Sequence, residues 1–141
     1  MPREPLLLQL KAHWETVRGD NALAFRSDID PNDLRFMLPS LMLVEAADTL
    51  DAFRIRLFGT ALVQEFGEDR TGKRFADLRH VDNFEEAYAD FERVRRTMQP
   101  SYLTGRSISA DRCYRGYSRL LLPLTLNGNS VDIILGGYAF S

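Results

Sequence analysis

Leu7, Leu10, Trp14 and Val17 recur at three- and four-residue spacing among Gln9, Lys11, Glu15, Thr16 and Arg18, which predicts an amphipathic helix stopped at Gly19. Polar chain leads to Asp30 and Pro31, a capping residue and a first-turn proline, and predicts a short helix from Pro31 to Leu38 that Pro39 ends. Leu41 to Ala46 reads as a strand. Phe53 to Phe58 alternates as a second, with Phe53, Ile55 and Leu57 on one face and Arg54 and Arg56 on the other. The connection is too short for a parallel crossover, so the pair is antiparallel.

Gly59 to Phe66 predicts a short helix with Leu62 and Phe66 on one side. Asn83 to Met98 predicts a longer one, with the stripe Phe84, Ala87, Tyr88, Phe91, Val94 and Met98 and Pro100 beyond its end. Three strand-like runs close the chain: Tyr102 to Ala110, Tyr114 to Leu126 and Val131 to Phe140. Asp111-Arg112 turns the first pair and Asn127-Gly128-Asn129 the second. A hairpin, a helical middle and three terminal strands predict an α+β fold: a five-stranded antiparallel sheet with helices on one face and an extra N-terminal amphipathic helix. The organisation expected is residues 1–30 as N-terminal helix and connecting segment, and 31–141 as the main domain.

Composition narrows the function classes. With 141 residues, 45% apolar and 27% charged, the chain is one ordinary folded domain. A net charge of -2 gives no reason to expect nucleic acid. Arg93, Arg95 and Arg96 are interrupted by Asp90 and Glu92 and read as a solvated helix face. No run approaches the ~20 apolar residues of a membrane span. The single Cys113 excludes an internal disulfide and fits a reducing compartment, so a cytoplasmic location is expected.

Chemical candidates are few. Gly67 to Arg74, GEDRTGKR, falls one residue short of the phosphate-cradling pattern G-x-x-x-x-G-K-[ST]. Its Glu68 and Asp69 would repel phosphate, the magnesium-binding hydroxyl is missing, and the preceding segment is helical. Gly67 is therefore expected to end the short helix and Gly72 to make a turn, with Lys73 and Arg74 as solvated charges. His13 and His80 lack the spacing of a zinc site, and Cys113 lies at a hairpin turn as an incidental thiol. Leu62, Phe66, Phe75, Phe84, Tyr88 and Phe91 admit two readings: plain core, or the lining of an apolar cavity for a small ligand. Gly136 and Gly137 would leave room for such a cavity or mark a bulge.

Trp14 with Arg18-Gly19, then Arg26-Ser27-Asp28-Ile29-Asp30-Pro31, Leu38-Pro39, Phe53 to Thr60, Phe66-Gly67, Thr71-Gly72 and Leu120 to Leu124 follow in the order and spacing of a known family. The chain resembles the small, single-domain bacterial PAS proteins of the PAS_5 type over nearly its whole length. The resemblance implies a PAS fold and a non-catalytic sensory or regulatory module. Such a module works by protein–protein contact in trans, with a small apolar ligand in a central cavity where it holds one. It also marks Arg56, Asp28, Asp30, Gly59, Gly67 and Gly72 as structural positions, and Arg56 is expected to pair with Asp28 or Asp30. Cys113 in the late strand region and His80 ahead of the long helix argue against flavin photochemistry and haem, so no cofactor is named.

The stripe Leu7, Leu10, Trp14 and Val17 must be buried, either in a homodimer or by folding back on its own sheet. An alternative from another class is a small-molecule enzyme of the cone-shaped, ketosteroid-isomerase-like α+β kind. Asp48 or Glu45 would be its base and Tyr88 or Tyr117 its hydrogen-bonding acid. The early hairpin argues against it, because that class places its helices before most of its strands.

Overall fold

The computed structural model describes residues 2–81, 84–108 and 114–140. The expected turn at Asp111-Arg112, Cys113, Ala110 and the helix start at Asn83 lie outside the described residues.

Helix α1 (Pro5–Arg18) opens with Pro5 at its first position and closes at Gly19, whose φ of 58° favours a residue without a Cβ. The connecting segment contributes a two-residue strand, β1 (Ala24–Phe25), which pairs in parallel with the end of β5 (Tyr114–Thr125). This strand is absent from the sequence reading, because two residues are too few to show a period. The expected short helix is instead a 3-10 turn, Pro31–Leu34, with the Asp30 carboxylate accepting from Asn32 N at 2.9 Å. A second turn, Leu38–Ser40, leads into β2 (Leu41–Glu45), and β3 (Arg54–Phe58) returns antiparallel to it. Helices α2 (Thr60–Phe66) and α3 (Phe84–Thr97) follow. The remaining strands are β4 (Ser101–Ile108), β5 and β6 (Ile133–Phe140).

The strands make one sheet in the order β1-β5-β6-β2-β3, with β4 also paired to β5. Among the described residues the five expected strands are joined by β1 as a sixth. Alternation sorts the sheet into two faces. Leu121, Ile134, Met42, Val44 and Ile55 face α2 and α3, in a core with Phe75, Tyr88 and Phe91. Leu120, Leu122, Leu124, Leu135 and Leu41 face the other way and meet α1.

Leu7 and Leu10 are fully buried, and Trp14 is 4% exposed. Trp14 Nε1 donates to Pro123 O at 3.0 Å. Of the two burials open to the α1 stripe, the helix takes its own sheet. An interface built from Leu7, Leu10 and Trp14 is corrected accordingly, with Val17 packed partly at the edge of the same cluster. Gly137 explains how the helix comes so close: a Cβ there would meet Leu10 Cδ2 at 2.5 Å. Gly136 and Gly137 thus serve close packing. Through β1 the connecting segment pairs with β5 of the main domain.

One strand face is also corrected. Leu43 pairs with Leu57 and Val44 with Ile55, so β3 carries one extra residue between those pairs. Phe58 is therefore turned into the core and Leu57 is partly exposed on the opposite face.

Candidate functional site

The loop GEDRTGKR holds together as a turn. Gly67 ends α2 in the left-handed region with φ 83°, and its N–H donates to Val63 O at 2.8 Å. Asp69 Oδ1 accepts from Thr71 N and Thr71 Oγ1 at 3.0 and 2.6 Å. Gly72, at φ 84°, donates to Ile55 O at 2.7 Å, and Ile55 N donates back to Lys73 O at 2.9 Å. The chain leaving the loop therefore runs along β3, where a phosphate loop would enter a helix. Gly59 is held by space: a Cβ there would lie 2.2 Å from Pro39 O.

Arg70, inside that loop, is buried and not solvated. Its Nη1 donates to Tyr88 Oη at 2.8 Å and its Nε to Glu68 Oε1 at 3.0 Å. Its guanidinium carbon lies 5.2 Å from the centre of the Phe66 ring and 5.8 Å from that of Phe58. Burial raises the Tyr88 hydroxyl to about 12, opposed by the charge of Arg70, so this phenol stays neutral and is a poor acid. Burial pushes the Glu68 carboxyl up, but its bonds to Arg70 and the charges of Arg70 and Lys73 bring it below the usual value.

Deeper under α3 is a second cation. The β4–β5–β6 register sets Leu103, Arg119 and Tyr138 in one row across the sheet, on the face that meets α3. Arg119 is 1% exposed. Its Nη1 donates to Ala87 O on α3, and its guanidinium carbon lies 5.1 Å from the Phe91 ring centre and 6.0 Å from that of Tyr138. Nε and Nη2 have no hydrogen-bond partner. Asp90 Oδ2 stands 3.9 Å from Nη2, too far for a hydrogen bond. The Asp90 carboxylate is engaged by Arg93 and accepts from Ser101 Oγ at 2.5 Å. Asp90 is therefore a buried residue, contrary to its reading as part of a solvated face.

The expected ligand-lining residues do gather. Phe75 meets Tyr88 at a tilt and Phe91 edge-on, at centroid distances of 4.6 and 5.3 Å, and Phe84 meets Tyr88 at a tilt at 5.1 Å. Leu62 is fully buried beside them, and Phe66 covers Tyr138 and Phe140 at 6.1 and 6.0 Å. The rings form two groups, Phe75 with Phe84, Tyr88 and Phe91, and Phe66 with Tyr138 and Phe140.

The expected ion pair of Arg56 is corrected: its partner is Glu45 on the adjacent strand, at 2.9 Å. Cross-strand neighbours meet without rearranging the chain, whereas Asp30 is occupied as a cap and Asp28 is an exposed turn residue. Asp48 is solvent-exposed and pairs with Arg95 at 3.2 Å. Glu45 and Asp48 are thus spent at the surface, and neither meets Tyr88, whose hydroxyl is held by Arg70. His80 is exposed, and no group of three metal-ligating side chains occurs among the described residues. No described helix is long and apolar enough to cross a membrane.

Sequence reasoning missed Arg70, Asp90 and Arg119. Arg119 did leave a signal: it alternates with Tyr117 and Leu121, putting a charge at an inward position of a buried strand.

A largely antiparallel sheet with helices between its strand pairs, and a buried polar centre under them, is an α+β arrangement. The model of the PAS-domain family PAS_5 matches residues 3–139, and the chain belongs to that family. The chain is similar in structure to a LOV protein of Rhodobacter sphaeroides, with 16% identity and a TM-score of 0.54, covering 71% of this chain and 57% of that one. It thus spans little more than half the length of that relative. A fungal LOV-domain photoreceptor gives 15% identity and a TM-score of 0.52, covering 95% of this chain and 88% of the other. At such identities the likeness shows the fold. No curated protein matches the sequence.

Proposed function

We propose that this PAS domain is a cytoplasmic sensory or regulatory module that acts by protein–protein contact and holds a small ligand between α3 and the sheet. Membership of the PAS family supports the signalling role. The observation that carries the ligand is the polar centre of Arg70, Tyr88, Asp90 and Arg119 inside an otherwise apolar layer. A core that serves packing alone gains nothing from a buried, half-partnered guanidinium, which costs several kcal/mol of desolvation (roughly, for an ion moved inward). Leu62, Phe66, Phe75, Phe84, Tyr88 and Phe91 form the apolar surroundings of this site in the proposal. Self-association belongs to the same reading, through a surface other than Leu7, Leu10 and Trp14, which the chain already buries.

Native mass spectrometry of the purified protein, with an absorbance spectrum, tests both parts. The expected result is a dimer mass, and a small bound mass lost on mild activation. A bare monomer would overturn the reading.

A further inference from the structure

We propose that the ligand of the α3–sheet layer is a monocarboxylate with a compact apolar or aromatic body, bound in two parallel hydrogen bonds by the Nε–Nη2 edge of Arg119. The inference rests on the reading of this layer as a ligand site and adds its chemistry. Arg119 cannot lose its proton inside a protein, so burial at 1% exposure leaves a full charge to be compensated. One of its three nitrogens, Nη1, is used on Ala87 O. The other two, side by side on the guanidinium, are buried without a hydrogen-bond partner. That edge has the spacing of the two oxygens of a carboxylate.

Of the two buried arginines among the described residues, Arg119 is the one with N–H groups left over. Arg70 is matched by Glu68 at 3.0 Å. Asp90 is shared: Arg93 pairs with it, Ser101 donates to it, and Arg119 reaches it only at 3.9 Å. The match is one of geometry, since two adjacent N–H groups on one planar edge meet the two oxygens of a single carboxylate. Because Asp90 is already held, the incoming anion does not face an unpaired carboxylate. Phe91 and Tyr138, at 5.1 and 6.0 Å from the guanidinium carbon, set the apolar character of the rest of the ligand.

The test compares benzoate and acetate with their neutral isosteres benzamide and acetamide, by calorimetry and by the shift in melting temperature. At least one carboxylate is expected to bind and to raise the melting temperature. It should bind about tenfold or more tightly than its amide, the size of one charge-assisted pair. Arg119→Lys keeps the charge but loses the planar fork, and Arg119→Met loses both. Each is expected to weaken the carboxylate by about tenfold or more while leaving amide binding where it was. Should one variant fail to fold, the acid–amide preference of the wild type decides alone. Equal binding of acid and amide overturns the proposal. So does undiminished carboxylate binding by the Arg119 variants, which would move the probe to the surface cleft of about 440 Å³ that Lys11 and Arg18 line. A neutral compound carried by the native protein would sink the carboxylate and leave the ligand reading standing. No bound mass and no response to any of the four probes would sink both.

Discussion

The two faces of the sheet are built to different rules. The face under α1 is aliphatic: Leu7 and Leu10 from the helix meet Leu120, Leu122, Leu124 and Leu135 from the strands. The face under α2 and α3 is aromatic, and it carries every buried charged residue among those described: Glu65, Arg70, Asp90 and Arg119. Aliphatic packing is non-directional and strengthens with area, so the α1 face holds the molecule together. A buried ion contributes little net stability, because desolvation offsets its Coulombic gain. The α3 face therefore keeps groups that stability alone would not select. The contrast teaches where to look for recognition in a protein without a catalytic constellation.

The comparison breaks most directly by truncating each face in turn. Leu10→Ala removes a fully buried side chain against Gly137, and is expected to cost about 3 kcal/mol in chemical unfolding, the middle of the range for such cavities. A loss near zero would show that α1 is detachable. Arg119→Met, of similar burial, is expected to stay within about 1 kcal/mol of the wild type or to gain stability. A loss as large as that of Leu10→Ala would erase the distinction between the faces.

The smallest effect is in alkali. The Tyr88 hydroxyl is raised from 10.0 to about 12 in the folded protein, chiefly by burial. A raised pKa means that the folded state favours the neutral phenol. Its contribution is thus fully present below pH 10 and is lost as pH rises through the folded value. Unfolding midpoints measured between pH 10 and 12 should fall less steeply in Tyr88→Phe than in the wild type. Identical slopes would mean that this hydroxyl is not buried in solution.

Much of the frame was legible because periodicity records one-sided burial. The stripe of α1, the stripe of α3 and the alternation of β5 and β6 each announce which residues turn inward. The glycines of GEDRTGKR were legible as turns for the same reason, since carboxylates in the loop and a helical segment before it conflict with phosphate binding. The site was less so. Phe75, Tyr88 and Phe91 do converge, yet the charges beside them were hidden. Asp90 lies among Glu92, Arg93, Arg95 and Arg96, and only the rotation of α3 shows that one of these five turns inward. Arg56 chose Glu45 because the strands were already adjacent, a proximity no local pattern encodes.

By itself, then, the sequence determined the order of the three α-helices and of the five longer strands, the antiparallel pairing of the first hairpin, the caps at Asp30 and Gly67, and the need of α1 for cover. These follow from local preference and from the period of burial, both properties of neighbouring residues. The tertiary structure alone decided what α1 covers, where the extra residue in β3 reverses Leu57 and Phe58, and which side chains share the space under α3. Those are distances between segments far apart in the chain. The half-partnered Arg119 becomes visible only when β5 and α3 are set against each other.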